Sequence, residues 1–418
     1  MKDLIQFLKN FVSNKGLYVL SSLFLSKFAL FVAQIIVIRI LSKDTFGNVV
    51  YLLSIVAFFY PIVGAGTYQG LLRFGSTTED TQIKDNLGAY SYQEGIKYQI
   101  LITLIFIFTC FILARETQDF WIIVVLLSFR LYGIFYQNIL QSFYRSHYEN
   151  IIFSKINIAY NVYGSILTII FTYFSGLIGY LISLAVNTLL IIKYFDKRLN
   201  QKVDHNTFSK KDYWWYNANA SFALLISEFV FILDIQIANY YLDATQIADY
   251  KTLILLPFNL WLLPQIFIQT DFPKLSLHFR EKSYINNYIF NYSKTFLIIG
   301  IIVLIVSYLF KDQLVPFIFG NQYQGGAAFF WLVSTVVFSW FTKTIFTNLL
   351  AAIGKVKVNI YSGLISVVVL YFCCIYLIPN YGLNGLVIST CFSIISSSIF
   401  SVIAFFYIYN NVIKIEKN

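Results

Sequence analysis

Five ionisable side chains stand inside long apolar stretches of this chain: Lys27, Arg130, Glu228, Asp234 and Lys343. A charge at the centre of a bilayer costs about 2.5–3.5 kcal/mol, so three cations facing lipid would together cost about 8–10 kcal/mol. They are therefore expected to face a wet cavity or a partner. Polar residues accompany them at helical spacing. Lys27 and Gln34 are seven apart, and Arg130, Gln137 and Gln141 share one face of a second helix. Such rows on apolar helices read as lumen-facing. Arginine offers a fork of donors and lysine a point charge, and both suit phosphate-like anions. Lys27, Gln34, Arg130, Gln137 and Lys343 are thus the candidate binding residues of a cationic cavity. The competing reading is internal pairing, for example of Glu228 with Lys27. Glu228 and Asp234 are the carboxylates able to take up a proton or a sodium ion. Asp234 also reads as a structural pair, and Asp271 as a surface group near a helix end.

No other constellation carries chemistry. There is no Ser/His/Asp set, no paired acids and no GxxxxGK[ST] nucleotide loop. His147, His205 and His278 fall in loops without a ligand-spaced neighbour, so no metal site is expected. Cys110, Cys373, Cys374 and Cys391 lie in apolar runs and read as small buried hydrophobes. No catalytic residue and no cofactor are expected, and transport driven by an ion gradient, or passive transport, replaces an ATP-driven cycle.

The elements that must hold these residues follow from composition. Of 418 residues, 58% are apolar and 12% charged, against a soluble norm of about 25% charged. Mean hydropathy is +0.69. This is an integral membrane protein; a disordered chain, a disulfide scaffold and a nucleic-acid binder are excluded. Twelve apolar runs start near residues 16, 46, 97, 120, 151, 176, 217, 252, 293, 326, 357 and 384. Each is about the 20 residues a helix needs to cross the hydrocarbon, and the alternation of a membrane barrel is missing. The expected fold is an all-α polytopic membrane protein. The first run follows Lys15 and lacks a small-residue cleavage site, so it does not read as a removable signal peptide.

Charge sets the orientation. Besides the three embedded cations, five of the 30 lysines and arginines (Arg39, Lys43, Arg115, Lys251 and Lys311) fall opposite the N-terminus, and the other 22 fall on its side. The positive-inside rule then places both termini in the cytoplasm. It also explains the net charge of +10 without an anionic polymer as partner. Arg73 and Gln69, at the inner end of the second helix, could meet a lipid headgroup on its way in; positive-inside anchoring is the competing reading. The stretches 76–96 and 273–292 read as inner-surface amphipathic segments, and Tyr213 to Tyr216 as an aromatic interfacial anchor.

The chain repeats itself. Gly176-Leu177-Ile178-Gly179-Tyr180-Leu181-Ile182-Ser183 matches Gly382-Leu383-Asn384-Gly385-Leu386-Val387-Ile388-Ser389 at an offset of 206, and Leu41 to Tyr51 has a weaker counterpart in Leu242 to Tyr250. Two six-helix lobes, 1–200 and 201–418, are expected, related by a pseudo-two-fold axis along the membrane normal. Parallel repeats of this kind are typical of alternating-access transporters.

Several short motifs in order carry a family resemblance: Leu41-Ser42-Lys43-Asp44-Thr45-Phe46-Gly47, Asp234 followed by Tyr250, Phe319-Gly320-Asn321-Gln322-Tyr323, Gly354-Lys355, and Pro379-Asn380-Tyr381-Gly382-Leu383-Asn384-Gly385. Over nearly its whole length the chain resembles the Wzx-type polysaccharide flippases, the polysaccharide transporter family of the multidrug/oligosaccharidyl-lipid/polysaccharide exporter superfamily. Ala248 departs from the pattern, which usually has glycine there. The resemblance implies two lobes around a central cavity. It implies a bacterial inner-membrane flippase for undecaprenyl-diphosphate-linked oligosaccharide, such as an O-antigen unit of lipopolysaccharide, moved from the inner to the outer leaflet. It also implies the glycan polymerase machinery as a partner. Membrane lipids surround the protein, no nucleic acid is expected, and one chain holding both lobes suggests a monomer.

The residues agree with that cargo. A lipid tail can stay in the bilayer, but each unpaired sugar hydroxyl costs about 4–8 kcal/mol in a hydrocarbon-like medium, and a diphosphate is charged as well. A multidrug exporter of the same superfamily is the first alternative. It would favour an acidic, aromatic cavity, whereas here three embedded cations outnumber two carboxylates. A membrane polymerase or ligase would need a large outer loop with catalytic residues, and a scaffold would not need embedded charge.

Overall fold

In the computed structural model, the described residues are 16–115, 119–204, 207–265, 267–268, 275, 278–353, 355 and 357–415. His205, Gly354, Asp271 and the interior of the 273–292 stretch as far as residue 277, Leu275 apart, lie outside them. The described residues form helices and turns with no strand. That follows from the solvent: in hydrocarbon every backbone group must be satisfied within the protein, and a helix does so inside one segment. Eight stretches are long and apolar enough to cross a membrane, which makes this a multi-pass membrane protein.

The first helices are α1 (Gly16–Ile40), α2 (Lys43–Phe59), a tight turn at Tyr60–Gly66, α3 (Thr67–Ser76), α4 (Thr81–Ala114) and α5 (Phe120–Ser146). The amphipathic segment expected before the third run is no separate loop. It is the first half of α4, because Asp80 caps the helix by accepting from the Gln82 and Ile83 amides and no breaker follows. At 34 residues and about 1.5 Å per residue, α4 overreaches a hydrocarbon core of about 30 Å. Its C-terminal half is two-faced. Leu101, Leu104, Ile105, Phe108 and Ile112 are exposed at one helical face, whereas Gln99, Ile102, Thr103, Phe106 and Cys110 are buried on the other. A large exposed apolar stripe marks a lipid-facing surface.

Next come α6 (Asn150–Ile158), a π turn at Ala159–Tyr163, α7 (Gly164–Val186) and two short tight helices, Asn187–Tyr194 and Lys197–Asn200. Then follow α8 (Lys210–Tyr241), α9 (Ala244–Asn259), α10 (Lys282–Leu309), α11 (Lys311–Phe319), α12 (Gly326–Ser339), a second π turn at Trp340–Thr344, α13 (Ile345–Ala352) and α14 (Lys357–Ile415).

Two of these helices double back at the matched glycines. Gly176 has φ 53° and ψ −131°, and Gly382 has φ 55° and ψ −132°. Side chains avoid this region, so glycine is required at both folds. The flanking limbs then lie antiparallel. In α7 the Ser183 hydroxyl donates to Thr168 Oγ1 at 3.0 Å. In α14 the hydroxyls of Ser362 and Ser401 meet at 2.9 Å and those of Ser366 and Ser393 at 2.6 Å. Small polar residues let membrane helices approach closely. The second glycine of each motif serves that approach. A Cβ on Gly179 would lie 1.9 Å from the Phe171 carbonyl oxygen, and one on Gly385 2.2 Å from that of Leu377. The same offset of 206 therefore repeats in backbone angle and in packing.

The chain packs as two compact units. One comprises residues up to Ser42 together with Leu52–Leu225, and the other comprises Lys43–Tyr51 and the residues from Ile226 on. Each has its own buried core: Ile38, Phe106, Leu131 and Phe143 in the first, Ile247, Leu253, Phe329 and Leu332 in the second. The aromatic run at 213–216 divides. Trp215 is exposed as an interfacial anchor would be, but Tyr213 is fully buried. Its hydroxyl is 2.6 Å from that of Ser91 and donates to the Thr67 carbonyl at 2.8 Å. It ties α3, α4 and α8 together within the first unit, a role set by packing that local sequence does not reveal.

Candidate functional site

Arg130 sits about halfway along α5 in the first unit, and among the described residues its interacting neighbours are neutral tyrosines. Its Nη1 donates to the Tyr160 hydroxyl at 2.7 Å, and its Cζ lies 5.3 Å from the Tyr160 ring centre. The Tyr60 hydroxyl is within hydrogen-bonding reach and Tyr180 is nearby. Nε is buried without a partner. On the same helix face the Gln141 amide nitrogen is also buried and unpartnered, while Gln137 between them is half-buried. Orphaned buried donors are rare in native proteins and call for an acceptor.

Irregular backbone delivers the tyrosines. Tyr60 begins the break between α2 and α3, where Gly64, Ala65 and Gly66 all have positive φ (57°, 53° and 70°). Pro61 opens this break, and the freed Gly64 amide donates to Gln99 Oε1 at 2.8 Å. Interrupted helices are tolerated at membrane depth only where the backbone is re-satisfied in this way or lines a cavity. Tyr160 lies in the first π turn, and such turns recur at functional sites. The sequence reading missed this frame. The Pro61-Ile62-Val63-Gly64-Ala65-Gly66 string inside an apolar run was the available signal.

The other expected residues are distributed as follows. Lys27 is exposed on α1 and Gln34 is half-buried, and among the described residues no hydrogen bond or ion pair joins either of them to Arg130 or Gln137. In the first turn of α3, Gln69 Nε2 donates to Ser221 Oγ at 3.2 Å and to the Tyr68 hydroxyl at 3.3 Å, and Arg73 further along the helix is exposed. In the second unit, Lys343 lies within the second π turn and its Nζ donates to Ser397 Oγ at 3.1 Å. Among the described residues Lys27, Arg130 and Lys343 are in no ion pair; the pairs found lie elsewhere.

The two carboxylates differ. Glu228 is exposed on α8. Asp234 is 3% exposed; its Oδ2 accepts from the Tyr250 hydroxyl at 2.6 Å and its Oδ1 from the Ile235 amide at 2.7 Å. The Tyr250 hydroxyl also lies 2.7 Å from Thr390 Oγ1. Three oxygens from α8, α9 and α14 thus meet in the core of the second unit.

Other motifs converge in the second unit too. Lys43 Nζ is 2.7 Å from Asp249 Oδ2 and 5.8 Å from the Tyr323 ring centre. A Cβ on Gly47 would fall 1.7 Å from the Ala244 carbonyl oxygen, which explains the glycine closing that motif. Asp243 caps α9 in a reciprocal box with Gln246, and the Thr245 hydroxyl holds its carboxyl below the usual range.

A polar hub outside the spans braces the first unit. Arg198 donates through Nη2 to Asp196 at 2.7 Å and through Nη1 to Asp85 at 3.2 Å, and His147 Nε2 is 2.9 Å from the same Asp85 oxygen. The Arg198 hydrogen bonds hold the Asp196 carboxyl below its ordinary value. The four cysteines are free thiols; Cys110 and Cys374 are buried and Cys373 and Cys391 half-buried. Among the described residues no cluster of His, Cys, Asp or Glu has metal-binding geometry.

No family model matches the sequence, and no curated protein does. Solved structures do match in fold. An inward closed conformation of the lipid II flippase MurJ superposes with TM-score 0.66 at 15% identity, covering 93% of this chain and 87% of that one. An inward-facing multidrug resistance MATE family transporter of the MOP superfamily gives TM-score 0.66 at 16% identity, covering 92% and 95%. The bent form of the Vibrio cholerae MATE transporter VcmN gives 0.57 at 14%, covering 96% and 98%. The fold is therefore that of MOP-type transporters. It is shared by a lipid flippase and by drug exporters, so fold alone does not choose a cargo.

Proposed function

We propose that this protein is a flippase for an anionic, lipid-linked oligosaccharide, a Wzx-type polysaccharide transporter in a bacterial inner membrane. The cargo class is an undecaprenyl-diphosphate-linked repeat unit of O-antigen or a related surface polysaccharide. In this reading twelve crossings form two six-helix lobes, 1–200 and 201–418, with both termini cytoplasmic. The doubled-back α7 and α14 support the helix number.

One observation carries the cargo assignment. The Arg130 guanidinium is set among neutral tyrosines with Nε buried and free. An embedded cation costs about 2.5–3.5 kcal/mol, and among the described residues no carboxylate pairs with this one. A diphosphate would, through bidentate charge-assisted hydrogen bonds. Lys27, Gln34 and Gln137 in the first unit and Lys343 in the second are the further cargo-binding residues of this reading, and Gln69 and Arg73 receive the headgroup. Alternating access moves the cargo between leaflets while its tail stays in lipid. Glu228 and Asp234 couple the cycle to protons or sodium ions, with the Tyr250 and Thr390 hydroxyls completing the Asp234 site. No cofactor takes part, and the working unit is a monomer that hands its product to the glycan polymerase machinery.

The test is transport by the purified protein in proteoliposomes, using a labelled undecaprenyl-diphosphate oligosaccharide with and without an imposed ion gradient. Protein-dependent arrival in the opposite leaflet is the expected result. Gradient-driven efflux of an organic cation with no glycolipid movement would instead assign a multidrug exporter.

A further inference from the structure

A cavity in the first unit belongs to none of the groups above. It has a volume of about 520 Å³. Its α5 residues Tyr132 and Tyr136 stand about 200° and 240° around the helix from Arg130, at 3.6 residues per turn, so it opens away from the guanidinium face. Five rings border it: Tyr92, Tyr132, Phe135, Tyr136 and Phe195. Tyr92 and Phe135 are parallel within 7° and Tyr136 and Phe195 within 10°.

The walls are fixed by close contacts. A Cβ on Gly64 would lie 2.4 Å from the Phe135 ring and one on Gly95 2.6 Å, so two backbone segments clasp that ring. Thr188 borders the cavity and presses on α5, where a Cβ on Gly133 would fall 2.0 Å from its Oγ1. That oxygen is buried and has no hydrogen-bond partner. Asn200 adds an exposed amide at the rim. Among the described lining residues there is no carboxylate, amine, guanidinium or imidazole.

Depth adds to the chemistry. Tyr92 precedes the apolar run of α4 that starts near residue 97, and Phe195 and Asn200 follow the last apolar residues after α7. The cavity runs from Tyr132, near the middle of α5, towards the end of the spans where lysine and arginine are concentrated. Flat aromatic faces, neutral donors and acceptors and no charge fit one ligand class: a neutral pyranose. Its C–H face lies on a ring while its hydroxyls reach Asn200 and the phenols. A diphosphate would find no cation there. An acyl chain would leave the Asn200 amide and the phenol hydroxyls on its border without a polar partner.

We propose that this pocket binds a neutral hexopyranose of the glycan cargo before translocation, separately from the diphosphate subsite at Arg130. The source of the sugar rests on the flippase reading. The test uses the full-length protein in lipid nanodiscs and titrates free maltose, cellobiose and chitobiose by saturation-transfer NMR. The wild type should bind at least one saturably. Tyr92→Ala and Tyr136→Ala should each weaken binding about tenfold through the lost ring contact. Tyr136→Phe, which keeps the ring and removes one hydroxyl, should weaken it about threefold and serves where an alanine variant fails to fold. Flipping of the undecaprenyl-diphosphate oligosaccharide is measured on the same samples. If the wild type flips it yet binds none of the three sugars, or the variants bind them unchanged, the pocket assignment is overturned and the flippase reading stands. Saturable sugar binding lost in the variants, with no glycolipid flipped by any sample, sustains the pocket and overturns the flippase reading.

Discussion

Replacing Arg130 separates a functional charge from a structural one. The guanidinium donates to the Tyr160 hydroxyl at 2.7 Å and keeps Nε free. Suppose its purpose is to hold Tyr60, Tyr160 and Tyr180 together. Arg130→Met would then strip donors from buried phenols and lower stability by about 1–3 kcal/mol. Suppose instead that it waits for an anion. Removing an embedded cation that costs about 2.5–3.5 kcal/mol would then offset the lost hydrogen bonds, as replacing buried ions with apolar groups often does. The account predicts an unfolding midpoint in nanodiscs equal to or above that of the wild type. It also predicts flipping reduced roughly ten- to hundredfold, the equivalent of one charge-assisted hydrogen bond of about 1.5–3 kcal/mol. Arg130→Lys should recover part of the rate, since it keeps charge and loses the fork. The readouts are tryptophan-monitored thermal unfolding and leaflet-specific detection of labelled glycolipid. A midpoint several degrees lower, with flipping per folded molecule intact, would refute the reasoning.

Further outcomes follow from other sites. Asp234→Asn should leave the fold intact, because the amide oxygen can still accept from the Ile235 N–H while its NH2 donates to the Tyr250 hydroxyl, which can turn to donate to Thr390 Oγ1, but should abolish the dependence of flipping on the ion gradient; a retained dependence would remove Asp234 from coupling. Gly176→Ala and Gly382→Ala should cost about 1–3 kcal/mol each, and by similar amounts, because the two backbones have φ of 53° and 55° in a region where a Cβ is strained; thermal unfolding measures both. Asp196 has a folded value lowered by its Arg198 hydrogen bonds. It therefore contributes stability that is complete above its unfolded value of about 3.9 and is lost as pH falls through the lowered folded value. Asp196→Asn should flatten that acid limb in a pH series of unfolding midpoints.

Individual residues explain how far the sequence could be read. Hydropathy identifies spans because in lipid only helices satisfy their backbone, so the helical class followed from composition. The matched glycines were visible as a repeat, and the structure gives the cause: Gly176 and Gly382 adopt the same rare backbone, and Gly179 and Gly385 pack against a carbonyl eight residues back. Embedded Arg130 and Lys343 were found by the expense of their charge. Their settings were not, because π turns arise when packing forces an extra residue into a helix and leave no periodic trace. The break at Pro61–Gly66 did leave a trace, but one diluted inside a long apolar run. Tyr213 looked like an interfacial aromatic because four aromatics stand together, and only the neighbours of its hydroxyl reveal it as core. Lys43, Asp249 and Tyr323 are far apart in sequence, so their meeting was beyond any local pattern.

The account rests on an anionic lipid-linked cargo, and a paired transport measurement tests it most directly. Wild-type protein in proteoliposomes would be offered the same labelled oligosaccharide on undecaprenyl diphosphate and on a neutral polyprenyl ether, both initially in one leaflet. The account predicts protein-dependent flipping of the diphosphate form and little of the neutral form. Equal flipping of both, or movement of neither alongside organic-cation efflux, would contradict it.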